Sequence, residues 1–354
     1  MKLLITGGTG FCGCHVARRF LAAGWTVRLF DMLPLDEPDL KSEVPSGRVE
    51  VVQGDVRDAE ALIAAAQGVD AIVHTAAALP IQGSRDTIMD TNVGGTRNML
   101  NAALRHGVGK AIHISTTAVY GVPKIHPLYE TSPIVPLGLY GISKVDAEKE
   151  CDIARAKGLD VTIIRPKTFI GTGRLGIFQI LFEWIREGCK IPIIGTGNNY
   201  YQLLAVSDLI DALYRSASQP NHNETFNIGA KRYGTVRQDL GALLRHANSG
   251  SRLVPMAPWL VQPLLRVLEI AKLSPLVEWH YKTANQDSFV DCSHAERVLG
   301  WQAQKSNAET LMETYDWYLN HFEEYQHTVG LTHRTAWDQG ALGILQKIMG
   351  GGKA

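Results

Sequence analysis

The chain has 354 residues, 45% of them hydrophobic, which is enough for one large or two modest domains with buried cores. Lysine plus arginine and aspartate plus glutamate both total 35, so no overall charge favours nucleic acid or an anionic membrane. No segment approaches the length of a membrane span, and the 5 cysteines form neither a disulfide framework nor a zinc site. We therefore expect a cytoplasmic protein with reduced thiols, no bound metal, no integral membrane segment and no nucleic-acid partner.

Short β-rich runs alternate with helical stretches through the first half of the chain. Six apolar runs predict strands: KLLIT, WTVRLFD, VEVVQGD, DAIVHTA, KAIHIST and LDVTIIRP. A helical pattern from Phe11 to Ala23 follows the first of them. Strands that are buried on both faces of a parallel sheet form nearly continuous apolar runs, each followed by a helix. The pattern predicts a doubly wound, Rossmann-type α/β domain with a parallel sheet.

Beyond Arg165 the alternation loosens, and Gly and Pro become frequent. We expect helices near Phe178 to Glu187, Ser207 to Ser216 and Thr235 to His246. The first domain is predicted over 1–170, with the chain returning to it near 200–230, and a smaller, mostly helical C-terminal substrate domain over 171–330. The tail, 331–354, carries an apolar stripe at helical spacing and is predicted to form a short amphipathic helix. The stripe comprises Leu342, Leu345, Ile348 and Met349.

A glycine-rich segment, T-G-G-T-G-F-C-G at 6–13, follows the first strand and opens the first helix. Its glycines allow a tight turn, close approach of backbone N–H groups to a pyrophosphate, and close packing of helix on strand. The second strand ends in Asp31, at about the 20-residue distance where a carboxylate binds the adenosine ribose. A carboxylate there repels a 2′-phosphate, so the pattern favours NAD over NADP. Arg28, earlier on the same strand, is the one residue that weakens this preference.

Further motifs follow the glycine segment in a fixed order. They are G-D-V-R-D at 54–58, H-T-A-A at 74–77, N-V-G-G-T at 92–96, S-T-T-A-V-Y-G at 115–121, Y-G-I-S-K at 140–144 and F-V-D-C-S-H-A-E-R-V-L-G-W at 289–301. Together these resemble the motifs of the extended short-chain dehydrogenase/reductases, the family also called NAD-dependent epimerase/dehydratases. The resemblance spans about residues 1–320. It implies an NAD-dependent oxidoreductase that transfers hydride at a secondary alcohol or ketone carbon.

The resemblance also implies which residues bind the cofactor. The expected NAD contacts come from the motif segments and from the end of the sixth predicted strand. They are Gly7, Thr9, Gly10, Phe11, Cys12, Gly13, Asp31, Asp55, Val56, Thr75, Ala76, Ala77, Asn92, Tyr140, Lys144 and Pro166. His74 precedes the cofactor loop, and we interpret it as structural.

Tyr140 and Lys144 are the predicted catalytic pair. Residues at i and i+4 share one face of a helix, but exposed helices often carry such pairs without any catalytic role. The resemblance assigns Tyr140 as the acid/base and Lys144 as the group that lowers the pKa of the phenol and holds the nicotinamide ribose. Counting back from Tyr120 places the third member at Thr116, whose hydroxyl would bind the substrate oxygen. Ser115 and Thr117 flank it and leave this assignment open by one position.

The positions that bind a nucleotide-sugar diphosphate in this family differ here. The family often has R-x-x-N after the sixth strand, but Thr168 stands at the Asn position. Tyr201 stands where Arg is common, and a third Arg position falls near Tyr281, beside Lys282. Each lost charge-assisted contact would weaken diphosphate binding by about 1.5 to 3 kcal/mol. Lys167, Arg174 and Lys282 are basic residues that can compensate. Thr117, Thr168 and Tyr201 are the expected substrate contacts.

Three functions stay open at this point. The first is an NAD-dependent dehydrogenase or ketoreductase on a non-nucleotide secondary alcohol. The second is a nucleotide-sugar 4-epimerase with tightly held NAD, and the third is a dinucleotide-binding regulator without catalysis. Aromatic residues near the expected pocket suit a less polar substrate, although core packing explains Phe178 and Trp184 equally well. The others are Phe169, Tyr200 and Tyr201. Dehydration is disfavoured because Thr117-Ala118 replaces the Asp-Glu pair of the dehydratases.

The resemblance also predicts a homodimer. In this family the helix after N-V-x-G-T and the helix that carries Y-x-x-x-K pair with their copies in a four-helix interface. Residues 92–106 and 139–157 supply the corresponding helices in this chain.

Overall fold

The strands and helices can be followed through most of the chain. A computed structural model describes residues 1–79, 84–173, 177–219, 223–271 and 278–325, together with Leu273, Gln346 and Gly350. The predicted amphipathic stripe of the tail and Arg174 therefore lie outside the described residues. The strands are β1 (Lys2–Thr6), β2 (Thr26–Asp31), β3 (Val49–Gln53), β4 (Ala71–His74), β5 (Lys110–Ile114), β6 (Val161–Pro166), β7 (Phe169–Ile170), β8 (Ile191–Ile194), β9 (Leu204–Ala205), β10 (Thr225–Ile228) and β11 (Leu253–Met256).

The helices follow the predicted pattern of one helix after each early strand. They are α1 (Phe11–Ala22), α2 (Pro38–Ser42), α3 (Ala59–Ala66), α4 (Arg85–Met89), α5 (Gly95–His106), α6 (Gly138–Ala156), α7 (Phe178–Arg186), α8 (Val206–Ser218), α9 (Val236–Ala247), α10 (Pro258–Ile270), α11 (Glu278–Thr283), α12 (Ser293–Leu299), α13 (Asn307–Asn320) and α14 (Phe322–Tyr325). A π-helical turn, Asp90–Gly94, precedes α5, and a 3-10 turn, Thr117–Tyr120, follows β5. No described helix is both long enough and apolar enough to cross a membrane.

Seven strands form one parallel sheet in the order β10-β6-β5-β4-β1-β2-β3. The predicted doubly wound α/β fold is therefore confirmed. Residues from α1 and α8 pack on one face of the sheet, and residues from α3, α5 and α6 pack on the other. The strand order reverses between β1 and β4, and ligands of such sheets bind beside the carboxyl ends of the strands at this point.

The second half of the chain divides between the sheet and a smaller layer. The helix predicted near Ser207 to Ser216 is α8, which packs on the large sheet, and β10 forms the edge of that sheet beside β6. The predicted helices near Phe178 and Thr235 are α7 and α9, which share a separate core with α13. This layer also contains the parallel pair β8–β11, which the sequence did not predict. The division into domains at 170 and 330 stays a prediction.

Candidate active site

The glycine-rich turn after β1 has no room for side chains at two of its positions. Gly7 has φ +66°, a region that other residues rarely adopt, and a Cβ there would lie 2.8 Å from Ala76 N. A Cβ at Gly13 would lie 2.3 Å from Gly7 O. Main chain therefore lines this turn, and its N–H groups can approach a pyrophosphate closely. This cradle fits the pyrophosphate of NAD.

The amino end of α1 points its partial positive charge toward the same turn. Its N-cap is Gly10, which brings no capping side chain, and its first turn, which is fully described, contains no acidic residue. Uncapped N–H groups at a helix start attract anions. Phe11, Cys12 and Gly13 therefore present main-chain donors where the sequence predicts the pyrophosphate.

Asp31 ends β2 beside this turn and is anchored by main-chain donors. Its Oδ2 accepts from Thr9 N at 3.1 Å, and its Oδ1 accepts from Leu33 N at 3.1 Å. Each carboxylate oxygen keeps lone pairs for the ribose hydroxyls. Arg28 turns away, because its Nε donates to Glu50 Oε2 at 2.9 Å and its Nη1 donates to main-chain carbonyls at the carboxyl end of α3. The guanidinium therefore does not favour a 2′-phosphate.

The remaining predicted adenosine and nicotinamide contacts lie at or after the carboxyl ends of β3, β4 and β6 in the same sheet. Thr75 Oγ1 donates to Thr6 O at 2.7 Å and places the 75–77 loop against the glycine turn. Asp55 accepts hydrogen bonds from the Arg57 side chain, and this contact lowers the pKa of Asp55. Val56 is buried. Pro166 ends β6 and is buried at the carboxyl edge of the sheet.

His74 lies in the core and has no free ring nitrogen for catalysis. Its Nδ1 lies 2.6 Å from Thr6 Oγ1, and its Nε2 lies 3.2 Å from Thr96 Oγ1. Thr96 donates its only hydroxyl proton to Asn92 O at 2.7 Å, so it accepts from Nε2–H, and Nδ1 accepts from Thr6. Burial lowers the pKa of His74 to about 3, and nearby Lys144 adds to this effect. His74 is a neutral structural residue.

Asn92 ties the cofactor loop to the helix that carries the predicted catalytic pair. Its Oδ1 accepts from Ala78 N at 2.7 Å, and its Nδ2 donates to Ala78 O and to Ser143 Oγ, both at 3.0 Å. Ser143 in turn donates to Tyr140 O at 2.8 Å. Asn92 lies within the π-helical turn, a feature that often occurs at functional sites. Its amide is thus engaged by protein groups and orders the start of α6.

Thr116 is the most exposed of the three candidate hydroxyls after β5. Its Oγ1 accepts from Ala118 N at 3.1 Å, so its own proton remains for a substrate oxygen. Ser115 is buried and donates to Glu148, which removes it from consideration. Thr117 is 6% exposed. The geometry therefore favours Thr116 among the alternatives that the sequence left open.

Tyr140 and Lys144 stand in the first turns of α6, as the spacing predicts. Lys144 is 2% exposed, and its Nζ donates to Ile114 O at 2.6 Å. Burial lowers the pKa of Lys144 to about 8, so the ammonium stays charged at neutral pH. A Cβ at Gly141 would lie 3.1 Å from Ala118 O, which shows how closely α6 approaches the turn after Thr116. The two elements that carry the predicted catalytic residues are therefore in contact.

Comparison with known proteins agrees with this geometry. Residues 3–229 match the model of the NAD dependent epimerase/dehydratase family. The chain belongs to this family. A UDP-glucose 4-epimerase of Mycolicibacterium smegmatis is 29% identical over 90% of this chain and 99% of that protein. A 3 beta-hydroxysteroid dehydrogenase/Delta 5-->4-isomerase of Mycobacterium tuberculosis is 28% identical over 91% of this chain and 92% of that protein.

The likeness extends to solved structures. The UDP-glucose 4-epimerase of Thermotoga maritima, solved with UDP-glucose, has a TM-score of 0.74 and 25% identity, covering 91% of this chain and 100% of that one. The protein is therefore an enzyme of the NAD-dependent epimerase/dehydratase family, and its cofactor is NAD.

Two of the three predicted substrate residues, Thr168 and Tyr201, lie close together, whereas Thr117 is buried in the turn after β5. Thr168 Oγ1 lies 3.5 Å from Tyr201 Oη, and the Tyr201 ring lies 5.2 Å from Lys167 Nζ. The third family position is different, because Tyr281 is 2% exposed in the α7–α13 core and donates to Glu269 at 2.6 Å. Tyr281 is therefore a core residue and does not face this group.

The aromatic residues proposed for the pocket divide into two groups. Trp184 is buried in the α7–α13 core and Phe178 packs against it, so both have the core role that the sequence left open. Phe169 lies 6.3 Å from the Phe11 ring in a stacked arrangement. Tyr200 is 44% exposed and packs edge-on against Phe289. Tyr201, the neighbour of Tyr200 in the chain, has its hydroxyl near Thr168 and its ring near Lys167.

A buried ion pair between α6 and β6 was not predicted. Glu148 accepts from Arg165 through both carboxylate oxygens, at 2.9 and 2.6 Å. Arg165 also donates to Tyr120 Oη at 2.8 Å, and Tyr120 donates to Asn227 Oδ1 at 2.8 Å. Two features of the sequence could have indicated this pair. They are the i+4 spacing of Glu148 from Lys144 and the charged Arg165 at the end of an apolar strand. This network fixes α6 on β6.

Proposed function

We propose that this enzyme transfers hydride between NAD and the carbon of a secondary alcohol, with Tyr140, Lys144 and Thr116 as its catalytic residues. The observation that carries the proposal is the buried ammonium of Lys144, fixed by Ile114 O one helical turn beyond Tyr140. A cation within about 4 to 6 Å of a tyrosine hydroxyl favours the phenolate form. At about 4 Å and an effective dielectric of about 20, it contributes about 4 kcal/mol.

Each residue then has a defined part in alcohol oxidation. Tyr140 takes the proton from the substrate hydroxyl as the adjacent carbon loses hydride. Thr116 donates to the same oxygen and orients it. Lys144 stabilises the phenolate with its charge, and its remaining N–H groups hold the nicotinamide ribose. Bound NAD supplies the hydride acceptor. In the reverse direction Tyr140 returns the proton to the carbonyl oxygen.

A dehydrogenase or ketoreductase on a non-nucleotide substrate is the function that the substrate side supports best. Tyr201 lacks the positive charge of the Arg that nucleotide-sugar enzymes often have there, Thr168 lacks the amide of their Asn, and Tyr281, near the third Arg position, is buried in the core. The second candidate is a nucleotide-sugar 4-epimerase that holds NAD tightly. Similarity to UDP-glucose 4-epimerases over 90% of the chain favours it.

The test of the proposed chemistry is Tyr140→Phe, assayed by NADH absorbance with a panel of secondary alcohols. We expect turnover to fall by about 10²- to 10⁴-fold, because the acid/base is removed, with NAD affinity nearly unchanged. Tyr318→Phe is the matched control, because it deletes a hydroxyl buried in the α7–α13 core. Equal turnover by the Tyr140→Phe enzyme and the wild type would refute the assignment.

We also propose a homodimer built on α5 and α6. Ile142 and Ile153 lie 11 residues apart on one face of α6 and are 43% and 49% exposed. Between the two helices lies a cavity of about 280 Å³ that Ile153 lines, and a salt bridge of 2.7 Å between Arg97 and Glu150 joins them. Ile153→Glu should convert the dimer into a monomer, which light scattering would record as a halved molar mass. An unchanged mass would place the interface elsewhere.

A further inference from the structure

Lys167 is a buried lysine at the carboxyl end of β6. It is 2% exposed, and its Nζ donates to Ser288 Oγ at 2.6 Å. In the part of the chain that the structure describes, no carboxylate forms an ion pair with this ammonium. A buried ammonium costs several kcal/mol unless it is paired, and one neutral hydroxyl does not offset that cost. Burial lowers the pKa of Lys167 to about 7.

Structural need does not explain this lysine. The segment around Ser288 is already held by main-chain bonds, since Ser288 N donates to Tyr200 O at 2.8 Å and Gln202 N donates to Ser288 O at 3.0 Å. The main chain of Lys167 is likewise tied to β10 through Ile228 O at 2.8 Å. A neutral side chain at 167 would leave all three bonds intact.

The position of Lys167 places it beside the expected substrate. It follows Pro166, a predicted NAD contact, and precedes Thr168, whose hydroxyl lies 3.5 Å from Tyr201 Oη. The carboxyl edge of a parallel sheet is where ligands of this fold bind. The ammonium therefore lies at the edge of the sheet where cofactor and substrate sides meet.

A polar and aromatic surface surrounds this ammonium. Burial, and to a smaller extent the charge of Lys167, lowers the pKa of His126. The buried Nε2 of His126 has no hydrogen-bond partner among the described residues. Its ring lies 4.9 Å from Phe289, which also contacts Tyr200 and Tyr233 at 6.0 and 5.8 Å. The Lys167 ammonium, several hydroxyl groups and the aromatic rings around Phe289 suit a ligand that has an anionic group and an apolar part.

We propose that Lys167 binds a carboxylate of the substrate, with Thr168 and Ser288 supplying hydroxyl donors and the rings around Phe289 contacting the apolar part. This inference rests on the proposed function, because it names the substrate class of the same site. A monoanion matches one ammonium, whereas a diphosphate carries more charge than this group offers. Carboxylates and ammonium groups form charge-assisted hydrogen bonds, the strongest that these groups make.

The test is calorimetric binding of phenylacetate to the enzyme with saturating NAD at pH 6. We expect saturable binding, at least tenfold weaker binding of the neutral phenylacetamide, and at least a tenfold loss for phenylacetate in Lys167→Met. Lys41→Met, which removes an exposed lysine of α2, should leave phenylacetate affinity unchanged. Uridine diphosphate should show no dependence on Lys167.

The pH dependence of phenylacetate binding tests whether Lys167 is the group that binds the carboxylate. Phenylacetate affinity should fall about tenfold between pH 6 and pH 8, because Lys167 loses its proton near pH 7. The facing Cys292 thiol stays protonated, since burial raises its pKa to about 12. Burial also lowers the pKa of His126, against a smaller opposing effect of the nearby Asp287 carboxylate.

Three results would overturn the inference. They are no saturable binding of phenylacetate, equal binding by Lys167→Met, or Lys167-dependent binding of uridine diphosphate. The same titration on Tyr140→Phe separates the two proposals, because that variant keeps the anion site. Retained phenylacetate binding with undiminished alcohol turnover would refute the catalytic assignment alone. If the wild-type enzyme does not bind phenylacetate but its alcohol turnover depends on Tyr140, only the role of Lys167 is refuted.

Discussion

The two sides of the candidate cleft are built in different ways. On the cofactor side, the predicted site consists of main-chain groups and residues close in sequence: the 6–13 turn, the 75–77 loop, and Tyr140 with Lys144. On the substrate side, Lys167 meets Ser288 across 121 positions of the chain. The cofactor is common to the whole family, so its site follows the family motifs. The proposed substrate site joins residues from segments that are far apart in the chain.

Buried charges show the same contrast. Arg165, on β6 behind α6, has a bidentate partner in Glu148. Lys167 has one hydroxyl. A fully paired buried charge holds the structure together, whereas one that is incompletely paired in a cleft marks a place for a ligand. Changes on the cofactor side should therefore cost stability or NAD affinity, and changes at Lys167 should cost substrate affinity.

Gly13→Ala should have the largest effect. A Cβ at Gly13 would lie 2.3 Å from Gly7 O, so the turn must open and lose its main-chain donors. We expect NAD affinity, measured by fluorescence titration, to fall by about 100-fold or more. Gly241→Ala is the matched control, because its Cβ would meet Arg245 Nη1 at an ordinary 3.5 Å within α9. Full NAD binding by Gly13→Ala would show that the turn is not the pyrophosphate site.

Glu148→Gln should have the next largest effect. It leaves the buried guanidinium of Arg165 without its counter-ion, which costs about 3 to 5 kcal/mol of unfolding free energy. Urea denaturation measures this loss. The double variant Glu148→Met with Arg165→Met removes both charges and should recover most of it. If the single variant is as stable as the wild type, the pair does not hold α6 on the sheet.

Two tyrosine variants compare the network with the apolar core of the second half. Tyr120→Phe removes a hydroxyl that accepts from Arg165 and donates to Asn227, and should cost about 1 to 2 kcal/mol. Tyr318→Phe removes a buried hydroxyl that has no hydrogen-bond partner within the described ranges, and should gain about 1 kcal/mol. Thermal unfolding of both variants measures the two changes in stability. A more stable Tyr120→Phe together with a less stable Tyr318→Phe would contradict the contrast.

The smallest expected effect is the pH dependence of stability at Lys167. The pKa is about 7 in the folded enzyme and 10.5 in an ordinary lysine, so between these values only the unfolded chain carries the proton. Wild-type stability therefore gains from rising pH across this window. Lys167→Met lacks this titration and should be more stable than the wild type at pH 6, where the buried ammonium of the wild type is charged. Its advantage should shrink by pH 9, and an advantage that grows would contradict the buried charge.

Sequence patterns correctly predicted the fold, and they allow a detailed prediction of the cofactor side, because both depend on local signals. Apolar runs gave the parallel strands, and i+4 spacing placed Tyr140 and Lys144 on one helix face. The Glu148–Arg165 pair and the Lys167–Ser288 contact depend on tertiary packing, which no periodicity encodes. Tyr281 illustrates the same limit: its place in the chain matched a family Arg position, but it lies in the core of the second half. A motif locates a segment, and packing decides which way each side chain points.

The most direct test of the central claim is the fate of the cofactor. We would denature the purified enzyme, identify released small molecules by mass spectrometry, and follow NADH absorbance with secondary alcohols that carry a carboxylate. Our account predicts NAD that exchanges freely and NADH that accumulates during turnover. Stoichiometric retained NAD beside a nucleotide sugar, with no NADH accumulating, would contradict it and establish a 4-epimerase.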